Sequence, residues 1–334
     1  MPIDVYSSRD KRYGLAEQTT WGTATADAAA FIELDCEQFI IPVTPNIRES
    51  PQVHASRMGR QGDVQMDTYQ SLPEFSLSMD AKLKSVDHLL YAFFQSVVEV
   101  GTGTMKKTFS FPTTQPDFTA ASAGYTATVI ERDPVAAHSL KVKNCIAKSL
   151  TLSVAANGRA KVVVGMVGLG YPATSTPSGT WTRTAYEYLH AANAARFRLN
   201  FGAGMVNLTM KSFELALTQE VVGVGQDGAG NFTTYGILSR AGTFKMQCVK
   251  DANLLTARTN LATGVVVGGE IGWGNATPGT TDGDFNAAFN GKLVNAPYDN
   301  EDLLGVAIEG RVLGADDGTA TPTIIMANSI LRSW

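Results

Sequence analysis

The stretch 72-LPEFSLSMDAKLKSVDHLLYAFFQSVV-98 decides how this chain is read. Phe75, Leu77, Met79, Ala81 and Leu83 fall at every second position, separated by Ser76, Ser78, Asp80 and Lys82 and followed by Lys84. That is the period of a strand with one buried face. After Ser85 the period changes, and Val86, Leu89, Leu90, Phe93, Phe94 and Val97 recur at three- and four-residue spacing. Ser85 as a cap and Asp87 as a first-turn carboxylate predict a helix beginning there.

The pattern recurs. Phe244, Met246 and Cys248 alternate with Lys245 and Gln247, Asp251 supplies a cap, and Leu254, Leu255, Arg258 and Leu261 continue at helical spacing. Setting Leu89-Leu90 on Leu254-Leu255 fixes an offset of 165 residues, which also places Met79 on Phe244, Ala81 on Met246 and Leu83 on Cys248. Identity between the two stretches is low, so coincidence is the competing reading. A shared strand period, period switch and Leu-Leu pair, at an offset close to half of 334 residues, favour a duplication.

A chain of this length fits two domains. With 44% hydrophobic residues, 17% charged residues and 32 Gly, plus abundant Thr, Ala and Val, the fold class expected is mainly β. The net charge of −4, with no basic block, argues against tight nonspecific binding of nucleic acid, which needs clustered Lys and Arg. Cys36, Cys145 and Cys248 form neither a CxxC nor an even set, so a reducing compartment is expected and no disulfide framework. No secretory leader is visible, and no apolar run approaches the roughly 20 residues that span a bilayer, which predicts a soluble protein.

Residues 1–30 carry little apolar periodicity and read as an extended arm. Residues 42–67 read as a long polar loop interrupted by Pro42, Pro45, Pro51, Gly59 and Gly62. Asn157-Gly158 between two strand-like runs predicts a hairpin. Residues 168–180, rich in Gly, Pro, Ser and Thr, mark the boundary between copies. Residues 275–295 read as a polar insertion. Strands at 306–313 and 323–331, joined by 314–318, read as the second copy's counterpart of the Asn157-Gly158 hairpin.

Chemistry-bearing motifs are absent or fail on context. Gly223-Val-Gly225-Gln-Asp-Gly228 spells GxGxxG, but no helix start follows it, so a hairpin loop is predicted. Asp282-Gly-Asp284-Phe-Asn286 begins like a calcium loop, yet Ala287 and Leu293 stand where Gly and Glu are required. His54, His88, His138 and His190 have no ligand spacing, and His88 is expected on the helix surface. Asn207-Leu-Thr209 and Asn231-Phe-Thr233 spell glycosylation acceptors by coincidence. Trp21, Trp181, Trp273 and Trp334 suit interface anchoring as well as ordinary packing. No catalytic, cofactor-binding or metal-binding residue is nominated, and no cofactor is expected.

The opening Tyr13-Gly-Leu-Ala-Glu17-Gln-Thr-Thr-Trp21-Gly-Thr23, then Phe31-Ile-Glu-Leu34, the long loop, the strand-to-helix unit and the closing strands resemble the major tail tube proteins of long-tailed bacteriophages. The resemblance implies β-sandwich, half-barrel tube domains, each flanked by one helix, whose inner strands join neighbours around a channel. Rings stack through the N-terminal arm and long loop, and DNA passes during infection without specific binding. Family members commonly form six-subunit rings with one tube domain each. A duplicated chain implies an arm at 1–30, tube domains at 31–172 and 173–334, and a trimer with pseudo-sixfold symmetry, with a hexamer as the alternative. Residues 42–67 become the stacking loop, and 275–295 an outward decoration or second contact. The partners implied are further copies of the chain and other tail proteins, not a membrane. The implied place is the virion tail, assembled in the bacterial host cytoplasm. A capsid or baseplate component would share this composition, and a β-rich carbohydrate-active enzyme is a third class.

Overall fold

The alternation at 75–79 is realised as β5 (Glu74–Asp80), with Phe75, Leu77 and Met79 buried and Glu74 and Ser76 exposed. The computed structural model describes residues 11–37, 41, 47–51, 64–68, 72–101, 105–119, 124–182, 188–189, 196–200, 204–225, 232–249, 264, 266–274, 283–295, 305–313 and 322–328. Helix α1 (Leu83–Phe94) follows β5 and starts two residues before the predicted Ser85. The strand ends earlier than its alternation because the Ala81 N–H donates to the Ala160 carbonyl and Lys82 bridges Tyr188. Extended Lys82 is therefore the N-cap, and no side chain caps the helix. Val86, Leu89, Leu90, Phe93 and Phe94 are buried as their spacing predicts. His88 is buried as well, contrary to expectation, because a hairpin of β6 (Val97–Val100) and β7 (Met105–Phe109) closes over that side of the helix.

The first half builds β1 (Arg12–Gln18), β2 (Phe31–Leu34), β8 (Thr126–Arg132), β9 (Ser139–Ala155) and β10 (Lys161–Ser175), giving the antiparallel order β5–β10–β9–β8–β1–β2. β1 lies within the stretch read as an arm. It is held between β2 and β8 with Leu15 wholly buried, so 12–18 belongs to the sheet; residues 1–10 lie outside the described residues. Asn157, at φ 58°, turns the chain from β9 into β10 as Asn-Gly predicts. β10 runs through Gly168 to Ser175, into the Gly- and Pro-containing stretch read as the boundary.

The second half builds β12 (Arg196–Asn200), β13 (Met205–Asn207), β14 (Met210–Val224), β15 (Thr234–Val249), β16 (Val266–Trp273), β17 (Phe285–Asn295), β18 (Gly305–Leu313) and β19 (Thr323–Asn328). Its antiparallel order is β15–β18–β17–β16–β12–β13. Two expectations are corrected here. Residues 285–295 are a central strand rather than an insertion, with Phe285, Ala287, Phe289 and Leu293 buried at alternate positions. β18 and β19 form no hairpin: both lie along the same side of β17, β18 on its C-terminal half and β19 on its N-terminal half. The predicted helix around Leu254-Leu255 lies outside the described residues.

The halves are joined by strand pairing. β14 sits between β9 and β15, β19 pairs with β7, and the short β11 (Trp181–Thr182) runs parallel to β2. One continuous hydrophobic cluster holds Leu89, Phe93, Leu150 and Leu152 together with Leu215, Phe244, Phe289 and Ile308. β3 (Ile47–Pro51) and β4 (Val64–Thr68), inside the stretch read as a polar loop, form a separate two-stranded sheet.

Candidate assembly interface

Six neighbouring strands, β5, β10, β9, β14, β15 and β18, present one face to the core and α1 and the other away from them. Directly paired residues in antiparallel strands share a face, so the pairing registers write out that outer face row by row. One row reads Asp80, Lys161, Ser153, Glu214, Lys245, Glu309. Their chain neighbours Met79, Val162, Leu152, Phe213, Phe244 and Ile308 are buried on the opposite face. The next row reads Ser78, Val163, Thr151, Ala216, Thr243 and the exposed Arg311, and the next Ser76, Gly165, Ser149, Thr218, Ala241. Short side chains keep this surface low, and a groove of about 650 Å³ runs across it, lined from all six strands.

Four of the cations on this face meet carboxylates. Arg159 lies 3.0 Å from Asp80, Lys161 3.1 Å from Glu37 and Lys245 3.5 Å from Glu309, and Lys148 pairs with Glu74. Exposed pairs of this kind contribute little to stability. They do lower the local positive potential that a phosphate backbone would meet.

The motifs weighed for chemistry fall elsewhere. Gly223 and Val224 are the last residues of β14 and pair with Tyr235 and Thr234 at the start of β15, so the GxGxxG spelling begins on one arm of a β-hairpin; residues 226–231 lie outside the described residues. Asp284 is buried beside Gly274, and the start of the calcium-like spelling lies outside the described residues. Among the described residues no three of His, Cys, Asp and Glu gather to hold a metal. Burial pushes the Cys36 and Cys145 thiols up to about 12, which removes their nucleophilic form at neutral pH. Trp21 packs edge-on to Tyr235 at 5.0 Å, Trp181 stacks on Phe31 at 5.7 Å and Trp273 meets Phe285 at 5.6 Å. Those three tryptophans pack within the fold; His54, His190 and Trp334 lie outside the described residues.

Sequence reading missed the charged row. Asp80 and Lys245 are visible as the polar positions of two alternating strands, but Lys161, Ser153, Glu214 and Glu309 join them only through the registers.

The profile of the phage tail tube protein family matches residues 8–324. The chain belongs to that family. It is a structural subunit of a phage tail tube and a component of the virion tail. No curated protein matches the chain. For a tail tube subunit the surfaces that matter are those available to other copies and to the tube's contents, so the broad outer face and the free strand edges become the functional site. No helix among the described residues is long and apolar enough to cross a membrane.

Proposed function

We propose that the subunits close into rings that stack into a tube, with the β5–β10–β9–β14–β15–β18 face as the channel wall and α1 on its outer side. The observation that carries this reading is the continuity of that face across both halves of one chain, with short polar side chains and compensated charges. DNA passes along such a wall without specific binding, because Lys148, Arg159, Lys161 and Lys245, which could hold phosphates, are already paired with carboxylates.

Residues 31–172 and 173–334 act as two tube domains, and residues 1–30 add β1 to the first. The matching orders β5–β10–β9–β8–β1–β2 and β15–β18–β17–β16–β12–β13 support this division. β10 carries the first unit three residues past 172. With two units per chain the ring is a trimer with pseudo-sixfold symmetry; a ring of six chains is the alternative. The role is structural rather than catalytic, and assembly takes place in the bacterial host cytoplasm, a reducing compartment that suits three cysteines without a disulfide.

Negative-stain electron microscopy of the purified protein at high concentration tests the reading. Rings or tubes with threefold class averages are expected. Monodisperse monomers at every concentration would overturn it.

A further inference from the structure

Inside the chain the two halves meet at one repeatable junction. β9 has β10 on one side, and on the other its residues 149–155 pair with β14, which in turn pairs with β15. In the second half β17 stands to β18 and β15 as β9 stands to β10 and β5. The position on β17 that corresponds to the β14-covered edge of β9 is its end, residues 293–295. There β16 has already stopped at Lys292, and no described strand lies on the side away from β18. Val294 is 58% exposed at this edge.

The matching edge at the other end of the sheet is covered in part. β15 carries β14 on the side away from β18, whereas among the described residues β5 carries on the side away from β10 the Cys36–Met79 bridge and the Glu37 N–H bond to the Ser78 carbonyl. Shifting Met210–Val224 back by the 165-residue offset lands on residues 45–59, which contain β3, and lands Glu214 on Glu49. Among the described residues β3 pairs only with β4, in a two-stranded sheet apart from the rest. An isolated pair of strands is marginal in water, and open strand edges recruit further strands.

Resting on the tube reading, we infer that β3 of one copy is the closing strand of the ring. With β4 on one edge, it offers the other to residues 293–295 of the next copy's β17 and pairs with them antiparallel, as β14 pairs with the corresponding end of β9 inside the chain. The in-chain pair Ser153 and Glu214 sets the register and puts Glu49 opposite the bulge that 293–295 makes against β18. Residues 47–51 thereby become part of the channel wall, and only the remainder of 42–67 is left for stacking.

The test uses the full chain assembled into tubes. Val294→Cys is combined with Glu49→Cys or with Ser50→Cys, the two neighbours covering the bulge. On oxidation, at least one pair should give disulfide-linked multimers that stop at the ring size on a non-reducing gel, and the single variants should not. In the unmodified protein, hydrogen exchange of amides at 47–51 and 293–295 should slow by about tenfold or more between monomer and tube, and this measurement decides if the cysteine variants fail to assemble. Tubes that form with neither cross-link nor protection overturn the edge assignment and leave the tube reading standing. Failure of the unmodified chain to form tubes overturns both.

Discussion

Gln219, on β14 of the second half, donates its Nε2 to the Phe93 carbonyl at 3.2 Å and to the Ala147 carbonyl at 2.6 Å. Phe93 lies in the last turn of α1, where carbonyls lack intrahelical partners. Gln95 satisfies the two before it, its backbone N–H donating to Tyr91 and its side chain to Ala92. Gln219 supplies the third from across the junction between halves.

Gln219→Leu keeps the bulk and removes that donor, leaving two carbonyls in a buried setting. The loss is about 1–3 kcal/mol, read as a lower urea midpoint with unchanged slope. A variant as stable as the parent would show that water reaches these carbonyls.

Lys107 is 2% exposed and pairs with Asp87 of α1, with Glu99 at 3.6 Å. Lys107→Met leaves two carboxylates without their counter-charge, at a cost of about 3–5 kcal/mol. The double variant with Asp87→Leu should recover a large part of the loss. A double-mutant cycle in denaturant measures the coupling, and additive effects would contradict it.

Asp27 ties the end of β10 to Lys141 of β9. The Lys141 ammonium, the Ser175 hydroxyl and the Thr176 N–H hold its carboxyl down to about 2, against 3.8 for an unperturbed group. Its folded value is the lower one, so its contribution is complete above about pH 4 and is lost as pH falls toward 2. Thermal unfolding of the parent and Asp27→Asn should therefore differ most near neutrality and converge below about pH 2. A difference independent of pH would place the effect elsewhere.

The compensated wall predicts a gain of DNA binding. Asp80→Asn with Glu309→Gln leaves Arg159 and Lys245 without their carboxylates at 3.0 and 3.5 Å. Assembled tubes of this variant should retain DNA at low salt, the log-log salt slope steepening by about one for each cation freed. Retention identical to that of parent tubes would mean that this face does not line the channel.

Much of the fold is legible in the chain because alternation and period switching are local. β5, α1, β8, β10, β14 and the central part of β15 follow from which side chains share a face. β17 was missed because Asn286, Asn290, Gly291 and Lys292 resemble a loop, although Phe285, Ala287, Phe289 and Leu293 hold a strict period of two. β1 was missed because its apolar alternation stops after Tyr13 and Leu15: Gly14 stands between them because Trp181 packs 2.7 Å from where its Cβ would stand, a constraint written 167 residues away.

By itself the sequence determined that this is a mainly β chain with a strand-to-helix unit within residues 72–98, because periodicity is a property of neighbouring residues. Only the tertiary structure decided that Asp80, Lys161, Ser153, Glu214, Lys245 and Glu309 form one row, and that β14 enters between β9 and β15. Register between strands far apart in the chain depends on how the whole sheet buries its apolar face, and a slip of one residue would turn that face outward.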